Sequence, residues 1–287
     1  MTSIVLLVLA ALGVAQTPAP GLSFSHLTLK IAIPKPAFVE VEPIPLTLTL
    51  TNTTAYPIQG HVGIGFQSSY IQMFVAHPDG TVQEIHSLSD VGRGLAVDGA
   101  TIAPGAQYRE RERLIFELDK VFPKPGDYHL QAVLNSLDDE ETVGSNWLPI
   151  RIRQATGIDR QALEYMKSVG NPSYFLSDGE SSNQAAKEAF EPFVVYYKTS
   201  AYGDYATFDL GHFYLVYEQY EMAVKQLRQV ATKDNFAFAD EALYYLIQSH
   251  AKLGEKAKAT PYLDHLKSRH TKSQYVSRAT RVLERLK

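Results

Sequence analysis

From Leu27 the chain alternates between apolar and polar or small residues. Leu27, Leu29, Ile31 and Ile33 keep a period of two; Leu46, Leu48 and Leu50 alternate with Thr47, Thr49 and Thr51; Val62, Ile64 and Phe66 continue the pattern. Such a period places every second side chain on one face, so these runs predict half-buried strands. Turn signals separate them: NTTAYP at 52–57, HPDG at 77–80, APG at 103–105 and KPGDY at 124–128. Short strands with Pro and Gly punctuation predict an antiparallel β-sandwich. Tyr128, Leu130, Ala132 and Leu134 are expected to face inward, and Pro149 places the last strand at an edge or a bulge.

After RQATG at 153–157 the period lengthens to that of a helix. The pattern predicts helices over about 159–168, 182–198, 205–217, 220–232, 238–252, 255–268 and 273–286. Asp240 and Ser273 are first-turn acceptors or caps, Gly254 breaks two helices apart, and Pro192 is expected to kink or restart the second helix.

Within this part the chain repeats itself. Leu210 aligns with Leu246, Tyr214 with His250, Ala223 with Ala259 and Leu227 with Leu263, at a constant offset of 36 residues. Two helices per unit at such a period predict a stacked array of helix pairs. Leu210-Gly211, Tyr214, Tyr220, Ala223 and Leu227, then Leu243, Leu246, Gly254, Ala259 and Leu263, fill signature positions at which the chain resembles the tetratricopeptide-repeat family, in its exported cell-envelope form. Ile247, His250 and Thr271 depart from that signature. Upstream, PIPLTLTLTNTTAYPI, PGDYHLQAVL and SLDDEETVGSNWLPIRI resemble an immunoglobulin-like sandwich over 22–154. Together the patterns predict a multidomain β + α chain: signal peptide 1–15, linker 16–21, immunoglobulin-like β-sandwich 22–154 and tetratricopeptide-like helical array 155–287.

Most of the aromatics in LGHFYLVYEQY at 210–220 are expected in the core, where small Gly211 and Ala223 let two helices approach. The resemblance implies that the first helix of each pair lines a concave groove. At the matching positions stand Tyr205, Phe208, Asp209, His212, Tyr244, Gln248 and Lys252, aromatic anchors among hydrogen-bonding groups that suit a peptide or protein segment. The alternative is that this face packs on the sandwich.

Composition sets the address. The first fifteen residues carry an apolar run from Ile4 to Val14 and a small-x-small ending before Gln16, which predicts export to a periplasmic or extracellular location rather than a membrane span. The competing reading is a retained apolar anchor. The chain has no cysteine, which excludes disulfides and thiolate chemistry and fits bacterial export. Through residue 155 there are 10 basic and 15 acidic residues, and from 156 onward 17 and 16; Glu255 to Lys287 holds 9 basic and 3 acidic. That basic end predicts contact of the last helices with an anionic envelope surface. Export and the lack of base-stacking motifs argue against a nucleic-acid partner.

Catalytic patterns are missing from the sequence. His265 and His270 are five apart, a poor fit to one helix face, and no HExxH, GxSxG or phosphate-binding glycine loop occurs. DDEE at 138–141 lacks calcium-loop spacing and VGRGLAVDG at 91–99 lacks a following helix. Neither a metal nor a cofactor is therefore expected. YRERERLIF at 108–116 puts Arg109, Arg111 and Arg113 on one strand face and Glu110 and Glu112 on the other; it is expected to face water, with an electrostatic docking ladder as the alternative. The resulting expectation is an exported, non-catalytic adaptor or scaffold. Protease-inhibitor or chaperone-like binding through the sandwich, and an accessory module of an exported hydrolase, stay open.

Overall fold

The computed structural model describes residues 26–60, 71–85, 100–114, 118–135, 141–170, 172, 176 and 184–286. The expected signal peptide and linker, the strand at Val62 to Phe66, the glycine cluster at 91–99, most of DDEE and the loop before residue 184 lie outside the described residues.

Alternation becomes sheet where predicted. Strands β1 (Leu27–Ala32), β3 (Ile44–Asn52) and β8 (Gln107–Leu114) form one antiparallel sheet in the order β1-β3-β8. A second sheet runs β2 (Ala37–Val39), β11 (Leu148–Arg153), β9 (Gly126–Asn135), β5 (Ile71–Ala76) and β6 (Val82–Ile85), with β10 (Thr142–Gly144) also on β9; β4 (Ile58–Gly60) pairs with β7 (Ala100–Ile102). Pairing is antiparallel throughout except between β2 and β11. The apolar side of each period is buried: Leu29, Leu48, Met73, Leu130 and Ile150 are at most 3% exposed. Tyr128, Leu130, Ala132 and Leu134 all point inward as expected, and the Tyr128 hydroxyl donates to the Lys124 carbonyl at 2.7 Å, closing the turn that starts β9.

Pro149 is accommodated by parity. Arg151 N–H reaches the O of Pro36, just before β2, at 2.9 Å, and alternate residues of a strand send N–H groups the same way, so the missing Pro149 donor lies on the β2 side, before the parallel ladder begins at Arg151. Asn52 explains NTTAYP: its side chain donates to Tyr56 O and Ile102 O and accepts from Thr54 N at 2.8 Å, so a fully buried amide is satisfied by the turn it organises.

Eight helices follow in chain order among the described residues: a short α1 (Leu118–Val121) within the strand-rich part, then α2 (Gly157–Val169), α3 (Gln184–Tyr196), α4 (Gly203–Val216), α5 (Tyr220–Leu227), α6 (Ala239–Lys252), α7 (Lys256–Arg269) and α8 (Tyr275–Glu284). Pro192 does not restart α3, which runs through it. Neighbours in sequence pack on one another from α3 to α8, and α4 also touches α6 while α6 touches α8.

The 36-residue offset is visible in the backbone. Gln219 N donates to Tyr214 O and Glu255 N to His250 O, both at 2.8 Å; Glu218 N donates to Leu215 O and Gly254 N to Ala251 O, at 3.1 and 3.0 Å. The residue that reverses the chain is left-handed in both turns, Glu218 at φ 59° and Gly254 at φ 73°. Gly211 permits the close approach of α4 and α5, since a Cβ there meets Leu227 Cγ at 2.7 Å. α5 ends earlier than its period predicts, because Val230 and Phe236 close tighter i→i+3 bonds that turn Phe236 and Phe238 into the core.

Candidate functional site: the face of the helix pairs

The face expected to line a groove divides in two. On one side it meets strand β8. Register fixes this: Arg111 and Arg113 stand opposite Thr47 and Pro45 of β3, on the outer side of the sheet, while Glu110 and Glu112 stand opposite Leu48 and Leu46. Arg113 Nη1 lies 2.9 Å from Asp209 Oδ1 of α4, and the Asp209 side chain is 1% exposed. Arg111 Nη2 lies 2.6 Å from Asp240 Oδ1 of α6, and its Nη1 donates to Ala237 O at 2.7 Å. Phe208 and Phe238 stack at 6.1 Å, and both guanidinium groups sit over the Phe238 ring, at 5.1 Å for Arg111 and 5.7 Å for Arg113. Arg111 and Arg113 therefore do not look into water and form a docking ladder whose partners are the chain's own helices, while Arg109 faces water as expected, its guanidinium donating to Gln107 at 2.6 Å.

Tyr205, Phe208 and Asp209 are consequently interior groups. Tyr205 packs edge-on against Phe236 at 5.6 Å, and burial pushes its hydroxyl well above the usual phenol range. A short array has little curvature with which to keep a groove open, so this end of the face closes on the sheet. Glu40 ties the same seam from the strand side, accepting Tyr202 O–H on its carbonyl at 2.6 Å and Ala155 N–H on its carboxylate at 2.8 Å.

The other side stays accessible. His212, Tyr244 and Gln248 are half-buried and Lys252 is exposed. His212 stacks on Tyr245 at 4.4 Å, Tyr244 stacks on Tyr275 of α8 at 5.2 Å, and Gln248 Nε2 donates to the Tyr244 hydroxyl at 2.9 Å. Tyr245 O–H donates to Glu241 at 2.9 Å. Burial pushes the Tyr275 hydroxyl up, and the nearby Glu241 carboxylate adds to this. At the sheet edge, burial raises the Glu110 carboxyl, opposed by a hydrogen bond from Tyr108 and by the positive charges of Arg278 and Arg111. The open region is thus a set of immobilised rings with amide, imidazole and ammonium groups along its rim.

Four of the seven expected residues share this open region, and three do not. Tyr245, Glu241 and Tyr275 belong to it without having been picked out in the sequence. At offset 36 Glu241 and Tyr245 match Tyr205 and Asp209, so the repeat alignment held the signal for both. Tyr275 enters only because α8 packs back on α6.

No family model matches the chain, and no curated protein matches it. Among solved structures, a multi-domain immunophilin from Arabidopsis thaliana is 12% identical, with 77% of this chain and 94% of that one covered, at TM-score 0.32. The sporulation control protein Spo0M from Bacillus subtilis is 13% identical over 50% of this chain and 56% of its own, at TM-score 0.31. The alkylpurine DNA glycosylase AlkC from Pseudomonas fluorescens, bound to DNA containing an abasic site analog, is 12% identical over 45% of this chain and only 30% of its own, at TM-score 0.27. Such scores lend this chain neither a fold assignment nor a function. Among the described residues no helix is long and apolar enough to cross a membrane.

Proposed function

We propose that the chain is an exported, non-catalytic adaptor of a bacterial cell envelope, built as an immunoglobulin-like sandwich that carries a short tetratricopeptide-like array. The repeated turn hydrogen bonds at offset 36 support the array, and the turn-closing Tyr128 bond supports the sandwich. The observation that carries the function is the open face at His212, Tyr244, Gln248 and Lys252, whose rings are already fixed by stacking on Tyr245 and Tyr275. Pre-ordered aromatics lose little entropy on binding, so a partner's peptide or protein segment gains most of the contact energy. Arg278 and Arg281 on α8 and Arg285 just past its end, spaced i, i+3, i+7 and all exposed, supply the contact with an anionic envelope surface.

Affinity capture from extracytoplasmic extract, read by mass spectrometry, tests the adaptor reading. The full chain is expected to enrich a defined partner, and a Gln248→Ala, Lys252→Ala double variant to lose it with an unchanged melting curve. Equal enrichment by both proteins rejects the open face as the binding surface.

A further inference from the structure

A second site lies between α5, the end of α6 and α7. It is a cavity of about 590 Å³ walled by Val224, Leu253 and Tyr262, with His250, Glu221 and Arg228 among its lining. His250 lies two positions from Gln248, about 200° around the α6 axis from it, so this cavity is separate from the open face described above.

His250 is the informative group. Its side chain is 6% exposed, and Nδ1 lies 2.8 Å from Glu255 Oε2. Hydrogen bonds from Lys258 and His250 hold the Glu255 carboxyl below its ordinary range, and an ionised carboxylate only accepts, so Nδ1 carries the proton. In the Nδ1–H tautomer the ring has an acceptor lone pair on Nε2, for which the described residues offer no partner. At offset 36 the corresponding Tyr214 is satisfied, donating to Glu191 at 2.5 Å. A buried polar atom without a protein partner calls for one from the cavity. Glu255 and Lys258 neutralise each other. Glu221 and Arg228 are exposed at the cavity mouth, and neither side chain has a hydrogen-bond or ion-pair partner among the described residues.

We infer that this cavity binds a zwitterionic apolar amino acid. Its ammonium donates to His250 Nε2 and Glu221, its carboxylate meets Arg228, and its side chain packs against Val224, Leu253 and Tyr262. The lining is suited to both charges at once: the two groups that accept are distinct from the guanidinium that donates, and the Glu255–Lys258 pair adds no net charge.

Ring-nitrogen NMR of the full chain tests this with L-leucine as the probe. Before addition, the His250 ring is expected in its Nδ1–H form. L-leucine should shift the Nε2 resonance saturably, with a dissociation constant on the order of 1 mM. N-acetyl-leucine, which lacks the ammonium, and leucinamide, which lacks the carboxylate, should each bind about tenfold more weakly. His250→Phe keeps the ring that stacks on Tyr262 at 5.7 Å and should abolish binding, followed by calorimetry. Arg228→Gln, at an exposed position, should weaken it about tenfold. An Nε2–H ring in the free protein, no saturable shift up to about 50 mM L-leucine, or equal binding by His250→Phe or Arg228→Gln overturns the assignment.

Discussion

Arg113 and Asp209 carry opposite charges in a place with almost no water, their side chains 12% and 1% exposed. Removing one member of such a pair leaves the other's charge desolvated, a cost of about 3–5 kcal/mol. Arg113→Met should therefore lower the free energy of unfolding by about that amount in urea titration. The double variant Arg113→Met, Asp209→Leu should recover most of it, because the desolvated charge goes with its partner. If the double variant is as unstable as the single, the pair contributes through geometry rather than charge. A second residue-scale case is Glu218, left-handed at φ 59° where the next turn uses Gly254. A side chain in that region costs about 1–2 kcal/mol, part of which glycine returns as unfolded-state entropy. Glu218→Gly should then stabilise by about 0.5–1 kcal/mol in the same titration, and Gly254→Ala should destabilise by about 1 kcal/mol.

At the scale of elements, strand β8 joins the two kinds of structure. Its Arg111 and Arg113 are salt-bridged to α6 and α4, and its register against β3 runs unbroken from Ile44↔Leu114 to Thr51↔Gln107. Strands and helices were legible in the sequence because each follows from a local period: Leu46, Leu48 and Leu50 state their face in five residues, and Leu210 with Leu246 states the repeat. The docking was not, because Arg111 and Arg113 read identically whether they face water or a carboxylate about 100 positions away. The alternation in YRERERL was the available signal, and it lacked only the knowledge that Asp209 and Asp240 lie on helix faces turned toward it. The same blindness divided the candidate site. Tyr205, Phe208 and Asp209 share helical phase with His212, and only tertiary packing decides that the first three close on the sheet while His212 stays at the rim. One consequence concerns Phe208, 5% exposed between Phe236, Phe238 and Tyr245. Phe208→Ala should cost about 3–5 kcal/mol by urea titration; a loss below about 1 kcal/mol contradicts its interior position.

The whole molecule couples a strand-rich part of net negative charge to a helical part whose last helices are basic. The seam between them includes Arg111–Asp240, Arg113–Asp209, the Arg111 bond to Ala237 O and the two bonds to Glu40. This seam positions the open face beside the sheet edge, where rings from α4, α6 and α8 come together. Under the proposed function, partners arrive there. Site-specific photo-crosslinking tests it most directly, with a photoreactive phenylalanine at Lys252 in one full-length protein and at Lys30, exposed on the outer side of β1, in another. The partner is expected to crosslink from position 252 and not from position 30; crosslinking from position 30 alone would reject the open face and move recognition to the sheet.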